Sequence, residues 1–220
     1  MIFPAFPETD TTLVLPGPVG GLDVHVEPPD PEATARPVVA VICHPLSTQG
    51  GSMHNKVVTM TARALRESGL TTVRFNFRGV GTSEGTFDEG RGEGDDLRAV
   101  VAWVRAQRPQ AQLWLAGFSF GAYVSLSVAA ELAPAALISI APPAERWNFH
   151  EIRTPTMPWL VVQGEDDEVV DPQAVYDWLE RIEAQAELVR MPETSHFFHR
   201  KLMDLRGALK HWAQAHLPAP

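Results

Sequence analysis

Ser119 stands in the stretch Gly117-Phe118-Ser119-Phe120-Gly121, with a glycine two places to either side. An apolar run at residues 112–116 precedes it. A helix-forming run at 122–132 follows and is stopped by Pro134. A serine at the apex of a tight strand-to-helix turn is held in strained backbone with its hydroxyl lifted clear of the sheet, the arrangement called a nucleophile elbow. Strand and helix approach so closely there that only small residues fit at Gly117 and Gly121. The same five residues also describe a plain turn with a serine at a helix N-terminus. Chemistry at Ser119 therefore requires two further groups, a base and a carboxylate that orients it.

The rest of the chain must deliver those groups. From Val38 onward, short apolar runs alternate with helix-forming runs. Strands are predicted over 38–43, 71–77, 112–116, 136–140, 159–163 and 187–190, and helices over 55–68, 95–108, 122–132, 173–184 and 201–215. Strand followed by helix, repeated five times, implies an α/β fold: a doubly wound, mostly parallel sheet with helices on both faces. Ahead of it, residues 12–15 and 22–27 read as an antiparallel hairpin at a sheet edge, with His25 on its solvated side. Residues 1–10 read as an irregular arm, and the whole chain, 1–220, as one domain. The glycine-rich segment 78–85 lacks the Lys-Ser/Thr ending of a P-loop and the glycine spacing of a dinucleotide fingerprint, so it reads as a turn-rich loop on the functional edge. Between 141 and 158 the chain is short and carries four prolines, which leaves no room for a helical lid.

In such a sheet, functional groups gather at the carboxyl ends of the strands. That rule sorts the eight histidines. His196 follows the strand at 187–190 and is the expected base, with His199 as runner-up at the start of the last helix. His44 follows the strand at 38–43. His150, His211 and His216 lie elsewhere. The acid falls in the loop after strand 159–163, where Asp166, Asp167 and Asp171 all qualify by position. Asp171 precedes Pro172 and suits a helix N-cap. Serine, then aspartate, then histidine is one of the known triad orders.

On these residues the chain resembles the α/β-hydrolases, over nearly everything from Val38 onward. The segments His44-Pro45-Leu46, 50–56 and 75–81 are similar to those of small lidless bacterial members close to dienelactone hydrolases and carboxylesterases. Dienelactone hydrolases proper carry a cysteine nucleophile, whereas this chain has Ser119. The resemblance implies that the acid lies three residues after Gly164, at Asp167, with the apolar pair Val169 and Val170 pinning its loop. It also implies an oxyanion hole from two backbone N–H groups, one of them Phe120. Many members have His-Gly after the third strand. Here Pro45 has no N–H, which moves the second donor to Leu46. His44 is expected to shape this loop or to meet substrate, and Trp147 and Phe149 to line an open cleft.

The resemblance implies a serine hydrolase acting on short-chain carboxylic esters without cofactor or metal. Thioester, lactone or amide cleavage, or a silent hydrolase-fold binding protein, are the alternatives. The formal net charge of −9 disfavours nucleic acid and anionic membrane surfaces as partners. The partner expected is a small ester or thioester. One cysteine, Cys43, excludes an internal disulfide and suits a reducing cytoplasm, and no Cys/His set has metal-site spacing. The N-terminal residues lack the basic start and long apolar core of a secretory signal.

Overall fold

The computed structural model of the protein describes residues 3–218. In chain order the elements are β1 (Thr11–Gly17), β2 (Gly20–Glu27), β3 (Val38–Cys43), α1 (Lys56–Arg66), β4 (Thr71–Phe75), α2 (Arg91–Gln107), β5 (Gln112–Phe118), α3 (Phe120–Leu132), β6 (Ala136–Ile140), β7 (Trp159–Gly164), α4 (Pro172–Arg181), β8 (Glu187–Met191) and α5 (Leu202–His216). All strands join one sheet in the order β1-β2-β4-β3-β5-β6-β7-β8. The β1–β2 and β2–β4 pairs are antiparallel and the others parallel. This is the predicted α/β architecture, with the hairpin at one edge.

Alternate residues of the central strands feed two separate cores. On β5, Leu113 and Leu115 join the core under α2, α3 and α4, while Trp114, Ala116 and Phe118 join the core under α1 and α5. Val39, Val41 and Cys43 of β3 face the first core, and Val38, Ala40 and Ile42 the second. A strand covered on both faces must be apolar throughout, which is why these runs show no polar alternation.

Several boundaries differ from those predicted. Helix α2 begins at Arg91 rather than 95. Its start is fixed by Glu93, whose carboxylate accepts from the N–H groups of Gly90 (2.8 Å) and Asp88 (2.9 Å). Gly92 and Gly94 mask this turn in the sequence. The first must be small, because a Cβ there would meet the Arg78 guanidinium at 2.1 Å. Arg78 in turn makes a buried pair with Asp96 of α2, at 2.8 Å, which ties the glycine-rich loop to the helix. Helix α5 starts at Leu202, so His199 lies in the turn before it, with Lys56 donating to its Nδ1 at 2.8 Å. His25 lies opposite buried Leu22, Val24 and Val26, as the alternation implies, and its ring is half-buried, with Nδ1 2.8 Å from Thr12 Oγ1 and Nε2 3.3 Å from Asp10.

Of the arm at 1–10, residues 1 and 2 lie outside the described residues, and 3–10 carry no helix or strand. The arm is nevertheless docked: Phe6 stacks on Trp103 at 4.9 Å, and Trp103 donates to Pro4 O. Between β6 and β7 there is only a single 3-10 turn, Phe149–Glu151, so no lid covers the carboxyl edge. Among the described residues no helix is long and apolar enough to cross a membrane.

Candidate active site

Strand β5 delivers Ser119 to the carboxyl edge of the sheet. The residue sits at φ 54°, ψ −119°, outside both the strand and the helix regions, and is the bend itself. The crowding around it is severe. A Cβ on Gly117 would lie 2.2 Å from the Gly121 carbonyl oxygen, and one on Gly121 would lie 2.3 Å from that of Cys43. Both glycines are therefore required by close backbone approach.

The loop after β8 passes the ends of β7 and β6 and brings His196 to Ser119. The Ser119 hydroxyl donates to His196 Nε2 at 3.1 Å, and His196 Nδ1–H donates to Asp167 Oδ2 at 2.8 Å. An aspartate carboxylate only accepts, so Nδ1 carries the proton and Nε2 is left as the acceptor. Asp167 arrives from the loop after β7, as expected, and Asp166 is exposed. Asp167 is saturated with donors: Oδ1 accepts from Val169 N (2.9 Å) and Val170 N (2.7 Å), and Oδ2 also accepts from Gln163 Nε2 (3.1 Å). Burial pushes this carboxyl up, but the bonds from His196, Val170 and Val169 outweigh it and hold the group below the ordinary aspartate range. Val170 is buried and Val169 half-buried, so the pair does pin the loop. Asp171 caps α4 by accepting from Gln173 N at 3.0 Å.

Two neighbours were not singled out from the sequence. Gln163, at the end of β7, orients the acid, and its signal was a polar residue closing an otherwise apolar strand. Glu168 accepts from the backbone N–H of His196 at 3.0 Å, fixing the loop that carries the imidazole. Nothing in the acid-rich run distinguishes Glu168 from Glu165.

His44 is fully buried within the loop after β3, where its ring can shape that loop. Its Nε2 accepts from Phe77 N at 3.0 Å, which leaves Nδ1 protonated and donating to Pro45 O at 2.6 Å. Burial lowers its pKa to about 4, only partly offset by the bond to Pro45. No peptide among the described residues is cis. Pro45 C=O and Leu46 N–H share one trans peptide and point in opposite directions. By holding the carbonyl, His44 turns the Leu46 N–H away from itself. Among the described residues neither Leu46 N nor Phe120 N donates to a backbone acceptor outside regular elements.

Trp147 is half-buried at φ 63°, with its ring 5.0 Å from that of Phe120 and stacked on Tyr123 at 5.6 Å. Phe149 does not line a cleft. It is 3% exposed and packs into the core against Trp178 at 4.9 Å, because the 3-10 turn rotates it inward. Phe87, from the loop before α2, packs beside Trp147 instead, 5.6 Å from Phe120 and 6.1 Å from Trp147. Away from this site, Asp10, His25 and Glu27 bring ligand atoms within 4.8 Å of one another. The charge of Glu27 is already met, by Arg66 (3.2 Å) and Arg74 (2.9 Å).

Residues 41–217 match the model of the alpha/beta hydrolase domain. The fold superposes on an a/b serine hydrolase without lid from Xanthomonas campestris, 67% identical, covering 99% of each chain with a TM-score of 0.96. An alpha-beta serine hydrolase homologue from Coxiella burnetii is 46% identical over 94% of this chain and 99% of that one, with a TM-score of 0.90. An uncharacterized protein of Rickettsia prowazekii is 32% identical across 78% of this chain and 76% of its own. With a family match over most of its length and a fold without a lid, the chain belongs to the α/β-hydrolase family, among its small lidless members.

Proposed function

We propose that the protein is a serine hydrolase that cleaves short-chain carboxylic esters through an acyl-enzyme on Ser119. The observation that carries this reading is the unbroken run of hydrogen bonds from Ser119 through His196 to Asp167, at 3.1 and 2.8 Å. His196 Nε2 takes the proton from the Ser119 hydroxyl as Oγ bonds to the ester carbonyl carbon. Asp167 holds the Nδ1–H tautomer and stabilises the imidazolium that forms. The carbonyl oxygen, now an oxyanion, accepts from Phe120 N–H and Leu46 N–H, each such donor being worth about 3 kcal/mol. The intermediate collapses, the C–O bond to the alcohol breaks, and His196 returns its proton to that oxygen. Water then attacks the acyl-serine with His196 again as base, releasing the acid and restoring Ser119.

A Leu46 N–H that points away from the carbonyl held by His44, and that meets no backbone acceptor outside regular elements, supports its assignment as the second donor. A small neutral or modestly polar substrate suits a chain of net charge −9 better than nucleic acid or an anionic membrane. Thioesters fit the same machinery, and a panel of p-nitrophenyl esters and acyl thioesters separates the two. The decisive experiment is labelling with a fluorophosphonate probe: stoichiometric modification of Ser119, together with turnover of at least one short-chain ester, is expected. Absence of both would leave a hydrolase fold without this chemistry.

A further inference from the structure

Resting on the esterase reading above, we infer that the rings of Trp147 and Phe87 form the wall of the acyl site, and that they set the longest acyl chain accepted. The aromatic rings around Ser119 fall into two sets, one packed on each face of the sheet. The His196 ring touches Phe118 and Phe197, each with centroids 5.0 Å away, and both belong to the packing on the α1/α5 face. The Phe120 ring touches Phe77, Phe87, Tyr123 and Trp147, which belong to the packing on the α2/α3/α4 face. The two sets share no ring.

The reaction assigns a substrate group to each side. His196 Nε2 must return a proton to the leaving oxygen, so the alcohol portion stays on the side of the imidazole. With the oxyanion at Phe120 N–H, the acyl chain departs toward the other set of rings. There Phe120, Phe87 and Trp147 form a closed triangle, with centroid separations of 5.6, 5.0 and 6.1 Å. No apolar chain fits between rings in contact. Phe120 and Tyr123 are buried, which leaves Phe87 and Trp147, both half-buried, as the surface an acyl chain meets. Trp147 is held there in left-handed backbone, a conformation that a non-glycine residue rarely adopts. Its stack on Tyr123, interplanar angle 18°, keeps it in place.

The wall comes from two independent loops, so each can be opened alone. Each methylene moved from water to apolar surface is worth roughly fourfold in binding. With one ring removed, a hexanoyl chain gains up to four buried methylenes over an acetyl group. The test measures kcat/KM for p-nitrophenyl acetate, butanoate, hexanoate and octanoate, and for acetyl esters of alcohols of increasing length. The proteins compared are wild type, Trp147→Ala, Trp147→Leu and Phe87→Ala, each checked for an intact fold by circular dichroism. In both alanine variants the hexanoate-to-acetate ratio should rise about ten- to hundredfold, less in Trp147→Leu, with the alcohol series unmoved. A ratio within threefold of wild type in folded Trp147→Ala and Phe87→Ala overturns the wall. A shift in the alcohol series instead of the acyl series overturns the assignment of sides. If the wild type cleaves no ester and Ser119 takes no label, the esterase reading itself has failed, and the wall falls with it.

Discussion

Asp167 accepts from His196 Nδ1–H at 2.8 Å, while Asp166, its neighbour in the chain, points into solvent. Two like residues one position apart thus have opposite fates, decided by the Val169 and Val170 N–H groups that grip the Asp167 carboxylate. Asp167→Asn should lower turnover of a short-chain ester by about four orders of magnitude, since an amide favours the wrong imidazole tautomer. Asp166→Asn should cost less than about tenfold, as befits an exposed charge. Steady-state kinetics on the two variants check this, and reversed penalties would show that Asp166 supplies the acid.

Ser119→Ala removes one hydroxyl from a turn whose shape is set by the glycine contacts on either side of it. The fold should survive, and turnover should drop by roughly four to six orders of magnitude. A folded variant retaining a tenth of wild-type activity would rule Ser119 out as nucleophile.

His44 links stability to pH. Its folded pKa, about 4, lies below the ordinary value of 6.5, so the unfolded chain takes the proton first as pH falls. The contribution is fully present above 6.5 and is lost as pH drops toward 4, amounting to about 3 kcal/mol at most. Urea unfolding across that window should show stability falling with acidity, and His44→Gln should flatten the slope. An unchanged slope in a folded His44→Gln protein would place the acid sensitivity elsewhere.

The link from β6 to β7 bears only one 3-10 turn. With nothing to open, the rate should follow substrate concentration smoothly, and acetyl and butanoyl esters should be preferred over palmitoyl. A jump in rate above the critical micelle concentration would require a moving cover that this link does not supply.

Features that depend on local sterics and on periodicity are written in the order of residues. Ser119 was legible because only glycine tolerates the backbone contacts at Gly117 and Gly121, and the two-sided burial of β3 and β5 was legible as unbroken apolar runs. His196 and Asp167 followed from strand ends, though the choice of Asp167 over Asp166 leaned on a family pattern. Which side chains meet depends on how distant elements pack. The start of α2 was hidden because Gly92 answers to Arg78, a residue on a different element. Phe149 and Trp147 look alike in sequence, and a 3-10 turn sends one into the core while a left-handed residue leaves the other at the rim. Phe87, Gln163 and Glu168 join the site only because the end of β7 and the loops after β4, β7 and β8 converge on the end of β5. That convergence follows from the spatial order of the strands, in which β4 precedes β3 and β8 lies three places from β5. Strand order is settled by packing across the whole sheet, and no local stretch of sequence encodes it.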